Sequence, residues 1–202
     1  KVVTSRKGVG RFVMTVKGRA SHAGVRHEDG RSAIVEMARQ ILRIEGKTDY
    51  ARGITCNVGL IDGGTGVNVV PAECRVEIDL RVPSQQLAEE MTHWFFGLEA
   101  IGSDVEVTVE GGMNRPPYQK DAGIADLFGK AQTIYREIGK ELADVPLTGG
   151  GSDGNFTAAL GIPTLDGLGA DGKGAHAAYE QIYYSSLVPR TYLCARLLET
   201  LD

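Results

Sequence analysis

The stretch CRVEIDLRV, residues 74–82, decides the fold of the first half of this chain. Apolar residues occupy every second position from Cys74 to Val82, and charged residues occupy the positions between them. Because successive side chains of a β-strand point to opposite faces, this alternation predicts a strand with one buried face and one polar face. We therefore predict a sheet that is covered on one side.

On both sides of this strand, the chain alternates between strand and helix signals. Period-two alternation predicts three further strands, at residues 10–17, 54–61 and 105–110. Apolar residues at helical spacing predict two helices, at residues 31–45 and from Ser84, as N-cap, to about residue 100. The order strand, helix, strand, strand, helix, strand is the ferredoxin-like arrangement. We predict an α/β (α+β) chain in which residues 8–114 form a ferredoxin-like βαββαβ domain.

The remaining residues, 115–202, predict a different kind of structure. The sequence GGMNRPP, residues 111–117, is typical of a hinge. Beyond it we predict three helices: one at residues 123–138, a short one that ends at Leu160, and one at residues 187–201. We also predict one short strand, at residues 164–168. So little sheet cannot bury both faces of an α/β layer, so we interpret this part as a piece of a domain whose other strands lie elsewhere in a longer protein.

Composition excludes several classes of function. The formal net charge is −4, which disfavours nucleic-acid and membrane-surface partners, because both need a basic face. No apolar run approaches the length of a membrane span. The three cysteines are widely separated, as in proteins of reducing compartments, and we expect a cytoplasmic protein.

Two of the four histidines lie in loops between small residues. His176 follows Gly174 and Ala175 after a predicted strand, where a neutral imidazole could ligate a metal or have no role. His22 follows the first strand, and a turn histidine without function is the simpler interpretation. A zinc site needs three or four ligands, and no second ligand stands at metal spacing from either histidine.

The glycine-rich run at residues 148–155 has two functional interpretations besides a flexible turn. Its backbone N–H groups could hold an anion. It also contains the pattern Gly-x-Ser-x-Gly at Gly150 to Gly154, as in serine hydrolases. A nucleophile elbow requires a strong preceding strand, which residues 145–148 do not predict, and too little chain follows for the acid and the histidine.

Three further polar residues have the chemistry of ligand contacts. Arg81 ends the alternating strand, and Arg115 lies beside two prolines; a guanidinium can bind a carboxylate through two hydrogen bonds. The Asn68 amide could hydrogen-bond a carbonyl or stabilise its turn. For each of the three, a surface or turn role is the alternative.

Five segments in this order resemble one family, the di-zinc aminoacylases and carboxypeptidases. They are KGRASHAG at 17–24, GVNVVP at 66–71, DLR at 79–81, TGGGSD at 148–153 and GAH at 174–176. The family includes glutamate carboxypeptidase, acetylornithine deacetylase and succinyl-diaminopimelate desuccinylase. The resemblance implies a zinc-binding α/β domain interrupted by a ferredoxin-like dimerisation domain. Residues 115–202 would then be the C-terminal segment of the catalytic domain, whose N-terminal segment is absent from this chain.

The resemblance also implies roles for individual residues. His176 would be one zinc ligand, and His22 would reach across a homodimer to stabilise the oxyanion in the partner's site. Contacts to the substrate would come from Asn68, Arg81, Arg115, Gly150, Gly151 and Ser152. The other ligands of the two zinc ions and the general base have no counterpart in this chain.

The function that the resemblance implies is zinc-dependent hydrolysis of an amide bond in a small N-acyl amino acid or peptide. By itself the chain would be inactive. The alternative is a ferredoxin-like dimer that binds ligands or partners without chemistry, because fold alone does not decide function.

Overall fold

The computed structural model describes residues 1–201, which divide into two compact units. One unit is Lys7–Pro117, and the other combines Lys1–Arg6 with the residues from Tyr118 onward. In chain order the elements are β1 (Val2–Val3), β2 (Gly8–Lys17), β3 (Ser21–His22), α1 (Ala33–Glu45), β4 (Thr55–Gly63), β5 (Val69–Val70), β6 (Glu73–Val82), α2 (Gln85–Phe96), β7 (Glu106–Arg115), α3 (Ala122–Glu137), β8 (Asp144–Val145), α4 (Gly154–Ala159), β9 (Gly172–Lys173), β10 (Gln181–Ile182) and α5 (Leu187–Thr200).

The unit Lys7–Pro117 has the ferredoxin-like fold predicted for it. Its antiparallel sheet has the strand order β4-β6-β2-β7, and β6 pairs with β2 along its whole length, from Gly8 opposite Val82 to Lys17 opposite Glu73. The alternation in β6 is confirmed, because its five apolar side chains are all buried: Cys74, Val76, Ile78, Leu80 and Val82. Together with α1 and α2 they form one continuous core.

Serine side chains cap the N-termini of α1 and α2. The Ser84 hydroxyl accepts a hydrogen bond from the Leu87 N–H at 3.3 Å, as predicted, and Ser32 does the same for α1 through Val35 at 3.2 Å. Inside α1, the fully buried Glu36 carboxylate accepts hydrogen bonds from the N–H groups of Ile101 and Gly102. Glu36 thereby fixes the loop that leads from α2 to β7.

The predicted hinge at residues 111–117 is wrong for its first five residues, because β7 continues to Arg115. Gly111 and Gly112 have φ values of +119° and +152°, which glycine adopts without strain. A Cβ on Gly111 would lie 2.2 Å from the Arg11 carbonyl oxygen of β2. The two glycines therefore let the strand continue past a register shift between Val9 and Gly10.

The second unit contains little sheet. β1 pairs with β8 in parallel, and β9 pairs with β10 in antiparallel fashion, each strand being two residues long. The predicted strand at 164–168 is wrong, since this segment makes only an isolated bridge between Val3 and Asp166. The three predicted helices are confirmed as α3, α4 and α5. Among residues 1–201, no helix has the length and apolar character needed to cross a membrane.

Candidate functional site

His22 and Asn68 come together through a short strand pair in the unit Lys7–Pro117. β3 pairs with β5, which places His22 opposite Val69, and the Ala23 N–H donates to the Asn68 carbonyl oxygen at 2.9 Å. Both His22 and Asn68 are exposed. Two residues separated by 46 positions in sequence are thus neighbours on one surface.

A backbone hydrogen bond selects the tautomer of His22. The Gly24 N–H donates to His22 Nδ1 at 3.1 Å, so Nδ1 acts as an acceptor. In a neutral imidazole whose Nδ1 accepts, the proton resides on Nε2. His22 can therefore donate a hydrogen bond from Nε2, which is the property that stabilisation of a developing negative charge requires.

A close backbone crossing positions the segment that carries His22. The Gly18 N–H donates to the Ala72 carbonyl oxygen at 2.8 Å, and Arg19 forms a bridge with Arg31. A Cβ at position 18 would lie 2.0 Å from the Arg31 carbonyl oxygen. Glycine is therefore required at this position of the KGRASHAG segment for steric reasons.

The two candidate arginines have partners close by in sequence. Arg81 donates from Nε and Nη2 to the two carboxylate oxygens of Asp79, at 2.7 and 2.9 Å. This bidentate ion pair gives Arg81 a structural role on the polar face of β6. Arg115 lies at the end of β7 and donates from Nη1 to Asn114 Oδ1 at 2.7 Å.

The glycine-rich loop of the second unit is held by an ion pair. Arg6 donates from Nε to Asp166 Oδ2 at 2.7 Å and from Nη1 to the Gly150 carbonyl oxygen, also at 2.7 Å. The Ser152 hydroxyl donates to the same Asp166 oxygen. Burial opposes ionisation of Asp166, but the hydrogen bonds from Ser152 and Arg6 outweigh it and lower the pKa of this carboxyl.

These contacts argue against Ser152 as a nucleophile. A serine nucleophile needs a general base, usually a histidine, within hydrogen-bond distance. The Ser152 hydroxyl instead donates to the carboxylate of the Arg6–Asp166 ion pair and accepts from the Gly154 N–H at 3.1 Å. The Ser152 N–H donates to Asn155 Oδ1 at 2.9 Å. Because Asn155 is fully buried, this hydrogen bond attaches the loop to the interior of the unit.

His176 lies in the loop of a small hairpin. β9 and β10 pair on either side of it, and its own φ is +65°, a left-handed value that is uncommon outside glycine. Its backbone N–H donates to Glu180 Oε2 at 3.3 Å. The hairpin thus presents an exposed imidazole on a constrained backbone.

Comparison with known proteins shows what this chain is similar to. Residues 4–95 match the peptidase dimerisation domain of the M20 type. This chain therefore contains a peptidase dimerisation domain of the M20 type. The resemblance inferred from the five motifs is thereby confirmed, and so is the ferredoxin-like unit as a dimerisation domain of this family.

Individual M20 relatives and structures cover nearly the whole chain. Carboxypeptidase G2 of Pseudomonas sp. strain RS-16 is 31% identical over 98% of this chain and 48% of its own length. Aminopeptidase PepT of Bacillus cereus has a TM-score of 0.75 at 23% identity, over 98% of this chain and 53% of its own. The Bacillus subtilis YXEP protein, a dinuclear metal binding peptidase from the M20 family, has a TM-score of 0.68 at 18% identity, over 98% and 51%. The chain spans about half the length of these proteins.

The described residues of this chain do not by themselves fit a metal centre. Across residues 1–201, no group of three or more His, Cys, Asp or Glu side chains is arranged to hold a metal ion. His176 contacts one further candidate ligand, Glu180, and this contact is made by the backbone N–H of His176. A metal centre in a protein that contains this chain would therefore need ligands from other residues.

Sequence reasoning missed Arg6, Asn155 and, as a loop contact, Asp166. Arg6 and Asp166 are 160 residues apart, and neither lies in a motif that predicts chemistry. Asn155 follows Gly154 in a run that we predicted as a turn. The sequence signal for this contact was Asp166 itself, an isolated Asp within the apolar segment at 164–168. It did not indicate which residue Asp166 would pair with.

Proposed function

We propose that the protein containing this chain is a metal-dependent, zinc-using hydrolase that cleaves the amide bond of an N-acyl amino acid or of a C-terminal amino acid. The M20-type dimerisation domain and the likeness to carboxypeptidase G2 along 98% of the chain support the reaction class. The single structural observation that carries the proposal is the strand pair that holds His22, with its Nε2 proton, beside Asn68.

The chemistry that His22 would supply is stabilisation of an oxyanion. Attack on an amide carbonyl places negative charge on the carbonyl oxygen, and a preorganised N–H donor at that point stabilises the transition state more than the substrate. His22 is such a donor because Gly24 fixes its tautomer. The side-chain amide of Asn68 can contribute a second hydrogen bond.

We propose that the protein is a homodimer and that His22 acts in the partner's site. The unit Lys7–Pro117 has an open edge at β4, which pairs with β6 on one side only among the described residues. Exposed apolar side chains lie on β4 and on α1: Leu60, Ile61, Ile34, Val35 and Leu42. An open strand edge combined with an apolar surface is what a second copy of the chain can cover.

The second unit would contribute one metal ligand, His176, and contacts to the substrate carboxylate. For the carboxylate we propose the N–H groups of Gly150 and Gly151 in this unit. Arg115 belongs to the unit Lys7–Pro117 and is a separate candidate for a carboxylate contact. Because the described residues do not fit a metal centre, we propose that this chain by itself does not hydrolyse the substrate. The free state of Cys56, Cys74 and Cys194 supports a reducing compartment such as the cytoplasm.

The test is metal-dependent hydrolysis of a panel of N-acyl amino acids, with N-acyl glutamates included, by the longest natural polypeptide that contains this chain. His22→Ala should lower kcat on the order of 10²-fold with a small change in KM. His176→Ala should lower metal content and activity together. His93→Ala is the matched control, since His93 is exposed on α2 and has no assigned role.

Mixing the two inactive variants tests action across the dimer. In a mixed dimer of His22→Ala and His176→Ala chains, one site has both histidines if His22 acts in trans, and random mixing should restore about a quarter of the wild-type activity. No recovery would mean that His22 acts within its own chain. A polypeptide that binds carboxylate ligands but hydrolyses none of the panel would support the non-catalytic binding module instead.

A further inference from the structure

We propose that Arg6 and Asp166 are positioning residues for the segment Gly150–Ser152, and that Ser152 braces this segment instead of contacting the substrate. The inference rests on the proposed function in one respect: it takes the N–H groups of Gly150 and Gly151 as the contacts to the substrate carboxylate. It assigns a role to an ion pair that no motif in the sequence indicates.

Both ends of the segment are attached to the same ion pair. Arg6 bonds the Gly150 carbonyl oxygen at 2.7 Å, and the Ser152 hydroxyl bonds the Asp166 oxygen that Arg6 also contacts. The Arg6 and Asp166 side chains are only 13% and 22% exposed. An ion pair shielded to this degree is screened less by salt than one on the surface, and it can hold both attachments in place.

The donors of Ser152 are already engaged. Its N–H bonds Asn155 Oδ1, and its hydroxyl bonds Asp166. By contrast, the N–H groups of Gly150 and Gly151 have no acceptor within residues 1–201. This leaves the two glycines as the donors available to a carboxylate, whereas Ser152, predicted as a third backbone contact, has its N–H engaged with Asn155.

Arg6 also acts electronically on one of these donors. The Gly150 carbonyl and the Gly151 N–H belong to the same peptide group. A charged donor on the carbonyl oxygen polarises that group and makes its N–H a stronger hydrogen-bond donor. The guanidinium thus orients the segment and strengthens the Gly151 N–H toward a carboxylate.

Asp166 itself is held from three directions. Its backbone N–H bonds the Val3 carbonyl oxygen at 3.0 Å, and Gly167 N–H donates to Oδ1 at 2.6 Å. A Cβ at Gly154 would lie 2.8 Å from Oδ2, so the loop approaches this carboxylate as closely as glycine allows. Small displacements of the Asp166 carboxylate should therefore move the loop.

The same unit offers a matched control in Asp144. Its Oδ2 accepts from the Thr4 hydroxyl at 2.8 Å and from Lys120 Nζ at 3.0 Å, and its side chain is 24% exposed. Asp144 therefore has one cationic and one hydroxyl partner, as Asp166 does, but neither partner belongs to the glycine-rich loop. Asp144→Asn removes a similar ion pair without touching the segment Gly150–Ser152.

The first experiment measures amide hydrogen exchange in the natural polypeptide, and its result does not depend on enzymatic activity. Asp166→Asn should speed exchange of the amides at 149–153 on the order of tenfold, whereas Asp144→Asn should leave them unchanged. Arg6→Lys keeps the charge but cannot bridge Asp166 and Gly150 together, and it should behave like Asp166→Asn. Unchanged exchange at 149–153 in both Asp166→Asn and Arg6→Lys would overturn the proposal.

The second experiment uses a substrate with a free carboxylate and its methyl ester. Asp166→Asn should raise KM for the free acid on the order of tenfold with kcat nearly constant, and it should leave KM for the ester unchanged. An equal effect on both substrates would overturn the positioning role, because it would reflect general destabilisation. If the wild type hydrolyses neither compound, the proposed function fails, and the exchange result still decides the role of Arg6 and Asp166.

Discussion

In the unit Lys7–Pro117, strands of nine or ten residues form a four-stranded sheet under two helices, whereas every strand of the second unit is two residues long. The buried apolar residues of the first unit form one continuous core, although β4 and α1 also expose apolar side chains. The second has a smaller cluster, to which the distant Val2 contributes, and it leaves Leu160 and Leu198 at 79% and 83% exposure.

This difference shows what each unit can do by itself. A sheet with long strands satisfies most of its own backbone hydrogen bonds and buries one full apolar face. Helices with only short strand pairs leave apolar surface exposed, and a surface of this kind indicates contact with further polypeptide. The first unit therefore meets the physical requirements of an independent domain, and the second does not.

The largest expected effect comes from separating the two units. A polypeptide of residues 7–117 should unfold cooperatively in urea, with a free energy of unfolding of about 5 kcal/mol or more. Residues 118–202 should show no cooperative transition, because they lack Val2 and Arg6 and their core is small. Urea titrations followed by circular dichroism measure both. A cooperative transition of residues 118–202 would remove the contrast between the units.

Matched core truncations should differ in size. Phe12 is 1% exposed and stacks on Phe95 with ring centroids 4.3 Å apart, and Phe12→Ala should destabilise its unit by about 3–5 kcal/mol. Phe128 is 8% exposed and lies under Lys120, so Phe128→Ala should cost about 3 kcal/mol or less. Thermal melts of the natural polypeptide measure both variants. Melts of residues 7–117 repeat the measurement for Phe12→Ala alone. A larger loss for Phe128→Ala would reverse the expected ranking of the cores.

Acidification should affect the first unit through Glu36. Burial opposes ionisation of this carboxyl, but hydrogen bonds from Ile101, Gln40 and Gly102 outweigh it and lower its pKa below the ordinary value of 4.5. A lowered native pKa means that the ionised form stabilises the fold above about pH 4.5, and that this stabilisation is lost as the pH falls through the native pKa.

Glu36→Gln should therefore lower the free energy of unfolding of residues 7–117 by about 1–3 kcal/mol at neutral pH and flatten its decline in acid. The control is Glu110→Gln, because Glu110 is exposed on β7. Urea titrations between pH 3 and pH 7, values chosen to span about the ordinary carboxyl range, measure both variants. An unchanged acid dependence in Glu36→Gln would assign the acid sensitivity to other carboxyls.

The smallest effect expected is a difference in thiol reactivity between the units. Burial raises the pKa of Cys56 to about 12, and burial also raises the pKa of Cys74, so both should resist alkylation near neutral pH. Cys194 in the second unit is only half-buried and should react first. Mass spectrometry after brief alkylation identifies the modified residue, with the denatured protein as control. Early modification of Cys56 would mean that the first unit opens more readily than its core suggests.

Much of the ferredoxin-like unit could be predicted because its signals are local. The period of two in residues 74–82 and the capping residue Ser84 depend on residues close in sequence, and both predictions are confirmed. The hinge prediction was wrong at Gly111 and Gly112, because strand pairing with β2 overrides the usual preference of glycine for turns.

The candidate site could be predicted only in part. The motifs drew attention to His22, Asn68 and the segment Gly150–Ser152, because small residues around a polar side chain are visible in sequence. The tautomer of His22 depends on the position of Gly24 in space. The hydrogen bonds of Ser152 go to Asp166 and Asn155, and no sequence pattern indicates these pairings.

By itself, the sequence determined the order of the long strands and helices of the ferredoxin-like unit, the buried face of β6 and the likeness to M20 peptidases, because each depends on patterns along the chain. Only the tertiary structure decided that Arg6, five residues from Lys1, pairs with Asp166 and holds Gly150 in place. A hydrogen bond depends on distance and direction in space, and residues far apart in sequence leave no periodic signal of such a contact.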